Sequence, residues 1–306
     1  MVIWGVKRLR HLTKLRLTTI LLSFALSGTG CGTNNAPGGA ATASAPGRAT
    51  LRVSMIPSTD PGKIVRESEP LVAYLEKELG VKVELTVPIS YAAVVEAIAN
   101  DQVDVAYLGG FTYVQAARRA GVVPLVQRER DRNFHSLFIT QPDSGINGLA
   151  DLTGRTFAFG DVNSTSGHLM PEYFLRQAGV GASVIANAIY TGGHDATALA
   201  VANKRVDAGA LDETVFEKMT KEGKLDPQQV KVFYTTPPFF DYVWVARKGL
   251  SSTLAESFKA AFLKLNAGDA EAARVLALLN ATRYIQANDS DYERLRQAAI
   301  DAGLLK

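Results

Sequence analysis

The sequence predicts an α/β protein of two lobes, each built on a doubly wound sheet. Strand-like and helix-like segments alternate from Leu51 onward, and the alternation starts afresh at Arg155. The two halves also share a motif at the same place in the order: Ala99-Asn100-Asp101-Gln102-Val103-Asp104 answers to Ala202-Asn203-Lys204-Arg205-Val206-Asp207. Regular alternation of this kind implies parallel strands joined by helical crossovers.

Leu51–Pro57 is the first expected strand, followed by the polar turn Ser58-Thr59-Asp60-Pro61-Gly62. Leu71, Tyr74, Leu75 and Leu79 then recur at helical spacing up to Gly80, a C-terminal stop. Val81–Val87 reads as a second strand, Tyr91–Ala99 as a helix opened by Ser90, Val103–Leu108 as a third strand and Tyr113–Ala120 as a helix. In the second half the strand Arg155–Phe159 leads into a helix from about Leu169 to Ala178. Carrying the repeat back without a gap sets Tyr91 against His194, and Gly80 answers to Gly179. His135–Thr140 and Tyr242–Ala246 read as two crossings between lobes, and helical patterns at Leu254–Leu265, Glu271–Leu279 and Tyr292–Ala302 are expected to pack on the first lobe. The expected division is 1–30 signal segment, 31–49 tether, 50–138 with 241–306 first lobe, and 139–240 second lobe.

The 306 residues fit about two domains, and 47% hydrophobic composition suffices for full cores. Lys7, Arg8, Arg10, Lys14 and Arg16 all precede the apolar run Leu17–Leu26, with no acidic residue before Cys31. This is the form of an export signal, its apolar run too short to span a membrane. Without those five cations the formal charge of +3 becomes −2, so nucleic-acid binding has no electrostatic support. Cys31, the single cysteine, directly follows the signal and resembles the acylated cysteine of bacterial lipoproteins, although Gly28 stands where that box usually has an aliphatic residue. Gly32–Ala49, rich in Gly, Ala, Asn, Ser and Pro, reads as a flexible tether.

The stretch Asp161-Val162-Asn163-Ser164-Thr165-Ser166-Gly167-His168 lies where a strand gives way to a helix. The first turn of a helix offers backbone N–H groups without intrahelical acceptors and a partial positive charge. With three hydroxyls these make a cradle for an oxyanion, and the same residues equally suit a plain helix cap. Loops at the carboxyl ends of parallel strands form ligand crevices. Here they carry Ser58-Thr59, Tyr91 and Tyr107-Leu108-Gly109 in the first lobe, and Ser164-Thr165-Ser166, Gly192-Gly193-His194 and Asp212-Glu213 in the second. Tyr91 and His194 are donors suited to anion oxygens across a closing cleft. His168 fits either a ligand contact or a solvent-facing helix start. There is no H-E-x-x-H, cysteine cluster, G-x-x-x-x-G-K-[ST] or G-x-S-x-G motif, and the histidines have no metal-like spacing.

An exported chain with D-x-N-S-T-S-G, then G-H-D, then V-D-A-G-A resembles the periplasmic substrate-binding proteins of phosphonate, phosphite and phosphate ABC transporters, over about Leu51 to Leu304. The resemblance implies the type II two-lobed periplasmic binding protein fold. It implies a small phosphorus oxyanion held by Ser164, Thr165 and Ser166 with Tyr91, His194 and Asp241. Leu108 replaces an aromatic residue frequent in the family, leaving Tyr107 as the candidate there, and an amine on the ligand would meet Asp212 or Glu213. A carboxylate such as Asp241 repels a bound oxyanion unless a proton lies between them; hydrogen-phosphonate, hydrogen-phosphite and hydrogenphosphate supply that proton and sulfate does not. The expected protein is a monomeric receptor, not an enzyme, without cofactor or metal, serving an ABC permease in the inner membrane. A sensory input to a membrane kinase and a phosphate-ester hydrolase are the rival readings.

Overall fold

β1 (Thr50–Met55) opens the first sheet, burying Leu51, Val53 and Met55. These coordinates are a computed structural model describing residues 49–181 and 185–305. The expected signal segment, Cys31 and nearly all of the tether lie outside the described residues. After β1 come α1 (Pro61–Glu67), capped by Asp60, and α2 (Glu69–Leu79), closed by Gly80. β2 (Lys82–Thr86), α3 (Tyr91–Ala99), β3 (Val105–Leu108), α4 (Gly110–Ala120) and β4 (Val123–Arg128) complete this run. The chain then enters the second sheet with β5 (Ser136–Thr140), β6 (Thr156–Phe159), α5 (Met170–Gln177), β7 (Asn187–Tyr190), α6 (His194–Ala202), β8 (Ala208–Asp212), α7 (Glu213–Lys221) and β9 (Lys231–Thr235). It returns through β10 (Val243–Ala246), α8 (Ser252–Leu263), α9 (Ala270–Leu278), β11 (Tyr284–Gln286) and α10 (Glu293–Asp301).

The result is the two-lobed α/β architecture expected, with strand orders β11-β4-β10-β3-β1-β2 and β7-β6-β8-β5-β9. Both sheets are mixed, which corrects the wholly parallel expectation. β1, β2 and β3 are parallel, as are β6, β7 and β8, but β10 runs antiparallel between β3 and β4, and β5 antiparallel between β8 and β9. The reason is the crossing itself. A strand arriving from the facing lobe enters its sheet at the carboxyl ends of the parallel strands, and so must run against them. The passages between lobes lie side by side at Phe134 and Phe239, which pair through mutual backbone hydrogen bonds of 2.9 and 3.0 Å just outside β5 and β10.

The second sheet is covered on both faces, and the alternation of side chains assigns each residue to one of them. Phe138 and Phe157 point into one apolar cluster, their neighbours Ile139 and Ala158 into the other. The C-terminal helices add to the core of the first sheet: α8 and α9 pack on α2, and Tyr74 donates to the Ala261 carbonyl at 2.5 Å.

The repeat has a structural meaning. Asp101 and Lys204 hold the same φ of 55° just beyond α3 and α6. The paired aspartates do the same job. Asp104 accepts from the Arg52 N–H at 3.0 Å at the start of β1, and Asp207 from the Thr156 N–H at 2.7 Å at the start of β6. Each ties its strand to a parallel neighbour, β3 to β1 and β8 to β6, which explains why V-D recurs.

Gly209 in β8 meets α6 so closely that a Cβ there would lie 2.9 Å from Thr197 Cγ2 and 3.0 Å from the Ala158 carbonyl oxygen. Gly209→Ala should therefore cost about 1–3 kcal/mol of stability through overpacking, read as a lowered thermal midpoint; an unchanged midpoint would show that α6 is free to shift.

Candidate functional site

The carboxyl ends of the parallel strands in the two sheets face each other and touch. Tyr91 and His194 each occupy the first residue of their helix, after Ser90 and Gly193 respectively, so the sequence repeat brings them together. The Tyr91 hydroxyl is 3.4 Å from His194 Nε2, long for a hydrogen bond. His194 Nδ1 accepts from the Asp212 N–H at 3.2 Å, which puts the proton of a neutral ring on Nε2. Burial lowers the His194 pKa and keeps the ring neutral. Burial, reinforced by the Asp161 charge, raises that of Tyr91, which therefore stays a phenol. An O–H and an N–H donor thus lie side by side, both buried from water.

Opposite them, Ser164 is the helix cap. Its Oγ accepts from the Gly167 N–H at 3.0 Å, and a π-helical turn, Thr165–Leu169, leads into α5. The cap and anion-cradle readings of Ser164-Thr165-Ser166 are compatible, because the cap orients the turn whose first amides face the other lobe. All three residues are buried. Thr165 Oγ1 accepts from the Phe111 N–H of the first lobe at 3.0 Å.

Asp241 completes the cluster. Its Oδ1 accepts from the Gly110 N–H at 3.0 Å, and its buried Oδ2 has no hydrogen-bond partner among the described residues. Burial pushes the Asp241 pKa up to about 8, the charges of Asp212 and Asp131 adding to the rise against hydrogen bonds from Gly110 and Thr165. At neutral pH the carboxyl therefore carries a proton of its own. The sequence argument had placed that proton on the ligand. Gly109 permits the approach of the two lobes here: a Cβ on it would sit 3.0 Å from Thr165 Oγ1 and 3.2 Å from Asp241 Oδ1.

The remaining expected residues lie at or beyond the border of this cluster. The Asp212 side chain caps α7, Oδ1 accepting from Thr214 N–H, Thr214 Oγ1–H and Val215 N–H at 2.6–3.0 Å, and Oδ2 accepts from the Tyr242 hydroxyl at 2.8 Å. Burial opposes its charge, yet these donors hold its pKa below the ordinary value. Glu213 faces Arg130 at 3.5 Å, with a pKa raised by burial against the pull of that arginine. Tyr107 stands apart from the cluster, stacked on Tyr242 with ring centroids 5.2 Å apart. His168 does not face solvent: it is buried, Nδ1 on the Val162 carbonyl at 2.7 Å and Nε2 on the Tyr190 hydroxyl at 3.0 Å, bracing the cradle from behind.

Several contributors escaped sequence reasoning. Asp161 accepts from the Tyr91 N–H at 3.4 Å, the Ser58 carbonyl accepts from the His194 N–H at 3.0 Å, and Gln115 donates to Asn163 at 3.0 Å, all between lobes. Asp161 was present in the quoted motif; the backbone donors of Gly110 and Phe111 leave no sequence signal. No group of three or more His, Cys, Asp and Glu side chains among the described residues is arranged to hold a metal ion.

This arrangement was compared with known proteins. The family model described as ABC transporter, phosphonate, periplasmic substrate-binding protein matches residues 53–292. The chain belongs to this family. A probable ABC transporter phosphite binding protein, PhnD1, of Prochlorococcus marinus is 33% identical over 260 residues, covering 81% of this chain and 88% of the relative. The phosphate-import protein PhnD of Mycolicibacterium smegmatis is 34% identical over 227 residues, 70% of this chain and 71% of the relative. The solved structure of the Prochlorococcus PhnD1 with methylphosphonate superposes with a TM-score of 0.80 at 30% identity, covering 84% of this chain and 99% of that one.

As in any buried, raised carboxyl, the Asp241 proton couples this site to folding. Between the ordinary value of 3.8 and about 8, the folded protein keeps a proton that the unfolded chain releases. Stability from this group is thus full below the lower value and falls as pH rises to the upper one, by up to about 1.4 kcal/mol per unit. Asp241→Asn should flatten that slope in thermal or urea unfolding between pH 5 and 8; an identical slope in the variant would show that Asp241 titrates normally.

Proposed function

We propose that the protein is an extracytoplasmic receptor that captures a small phosphorus oxyanion and delivers it to an ABC permease in the inner membrane. The observation that carries this reading is the convergence of the cradle at Thr165, the donors Tyr91 and His194 and the buried Asp241 carboxyl on one spot between the lobes. Ser164, Thr165 and Ser166 hold phosphoryl oxygens through their amides and hydroxyls, Tyr91 and His194 donate across the cleft, and Asp241 shares one proton with the anion. The two lobes close over it about the paired segments at Phe134 and Phe239. Binding without turnover is the expectation, since the carboxyl beside the Thr165 hydroxyl is kept neutral and does not serve as a general base.

Phosphite, methylphosphonate, phosphate and aminoalkylphosphonates carry the three oxygens this donor set needs. Relatives named for phosphite and phosphate binding support that set. Cys31, acylated, would tether the receptor to the membrane; the family's periplasmic setting supports the location.

Calorimetry with these anions and sulfate tests the reading. At least one phosphorus anion should bind below millimolar, and none doing so would defeat it. Because Asp241 is protonated below about pH 8, and hydrogenphosphate still carries a proton above that value whereas sulfate carries none, discrimination of phosphate against sulfate should grow as pH rises past it, up to tenfold per unit; a phosphate-to-sulfate selectivity independent of pH would remove Asp241 from the site. Thr165→Val or Ser166→Ala should weaken binding by about 1–3 kcal/mol, the cost of one lost buried hydrogen bond, with folding intact by circular dichroism. Replacing Cys31 should release the protein from membranes, and a variant that still sediments with them would exclude the anchor.

A further inference from the structure

Beside the anion cluster, between the same two lobes, lies a cavity of about 460 Å³. Tyr91, Ser164, Thr165, Ser166, His194 and Asp241 are not in its wall, but it adjoins them. Ile56 is the partition: it lines the cavity, and its Cδ1 lies 3.7 Å from the Cβ position of Gly109, where Thr165 and Asp241 also meet. The cavity also reaches Asp212, whose N–H holds His194, and Tyr242, which follows Asp241 in the chain.

The size is the first clue. A water occupies about 30 Å³ in the liquid, and the hydrogen, hydroxyl or methyl group on phosphite, phosphate or methylphosphonate needs no more than about that. A cavity of about 460 Å³ is on the scale of an organic-ligand site. Its chemistry is the second clue. Ile64, Leu199, Val215, Met219 and Leu279 line it with Ile56, and Lys63–Glu222 at 3.7 Å and Lys218–Glu67 at 3.2 Å pair across the cleft at its partly exposed rim. Two buried charges also reach its wall, Asp212 and Arg128, and the guanidinium is bonded to Asp131 and the Leu279 carbonyl. Asp212 is largely engaged. Three donors converge on its Oδ1 in capping α7, and the Tyr242 hydroxyl holds its Oδ2. Glu213, turned to Arg130, is not in the wall. The residues expected to receive an amine are therefore engaged elsewhere.

We propose that this cavity receives the organic substituent of the ligand, so that the preferred ligand is a phosphonate or phosphate monoester carrying an apolar chain of several carbons. The proposal rests on the phosphorus-oxyanion reading above. Chain length then becomes the determinant of affinity. The phosphoryl group sits in the clamp, the chain passes Ile56, and each methylene placed against the apolar wall is removed from water.

The test is calorimetry of the full-length protein with methyl-, butyl- and hexylphosphonate, hexyl phosphate, ethylphosphonate and 2-aminoethylphosphonate. Each buried methylene is expected to tighten binding up to a few-fold, so hexylphosphonate should bind at least tenfold more tightly than methylphosphonate. Hexyl phosphate matching hexylphosphonate extends the class to esters, and a much weaker ester restricts it to phosphonates; both support the cavity. Leu199 is 42% exposed, so Leu199→Trp is compatible with folding and should reduce the hexyl-to-methyl ratio below twofold; Val215→Trp should do the same from the facing helix. Hexylphosphonate binding no better than methylphosphonate, or a ratio untouched by both tryptophans, would overturn the proposal. So would a tenfold preference for 2-aminoethylphosphonate over ethylphosphonate, which would give Asp241 Oδ2 an amine to hold. If methylphosphonate and the longer phosphonates all fail to bind, the oxyanion reading itself falls, and the cavity assignment with it.

Discussion

A carboxyl group buried between two lobes, one oxygen satisfied and the other without a partner among the described residues, sets the terms for the site. Ionised and alone, Asp241 would be a heavy burden on the closed protein. Burial therefore leaves it protonated near neutrality, and anything that brings a compatible charge and hydrogen-bond pattern to Oδ2 relieves the mismatch. The surrounding features follow from accommodating it. Gly109 clears the space beside it, Gly110 supplies an amide, and the helix-start turn at Thr165 provides a positive end opposite.

The second organising fact is that each lobe supplies half of the clamp from the same structural position. Tyr91 and His194 stand at the first residue of equivalent helices, and facing sheets bring those starts into contact. Contacts between lobes combine polar ones, ion pairs at the rim and an apolar patch in which Leu169, Met170, Tyr173 and Phe174 join the first-lobe core. Water can replace the hydrogen bonds of the polar part at modest cost, whereas the two remaining apolar clusters lie within the second lobe and hold it together. This division suits a hinge at the paired strands of Phe134 and Phe239.

Much of the fold was legible because it is written in local signals. Ser90 before α3, Gly80 after α2 and the apolar spacing of Leu71, Tyr74 and Leu75 mark helix ends and faces through interactions within a few residues. The antiparallel sense of β5 and β10 was not legible, because it follows from where a crossing enters a sheet already formed. Among the candidate residues, Tyr91, Ser164, Thr165 and His194 were legible because they stand at helix starts. The engagement of Asp212 was not legible: its oxygens cap α7 and meet Tyr242, a partner thirty residues on in sequence.

The sequence by itself determined the two-lobed α/β plan, the repeat that pairs Tyr91 with His194, the hydroxyl cradle at a helix start and the family these patterns belong to. Those features depend on periodicity, capping and order, which act over short stretches of chain. Only the tertiary structure decided which acid keeps its proton, which carboxylate is already engaged and how much room lies beside the buried cluster. Each of those depends on desolvation and on partners from distant segments. Asp241 and Asp212 look alike as letters; burial with an oxygen left unpartnered makes the first a neutral acid, and burial with four donors makes the second a fixed charge.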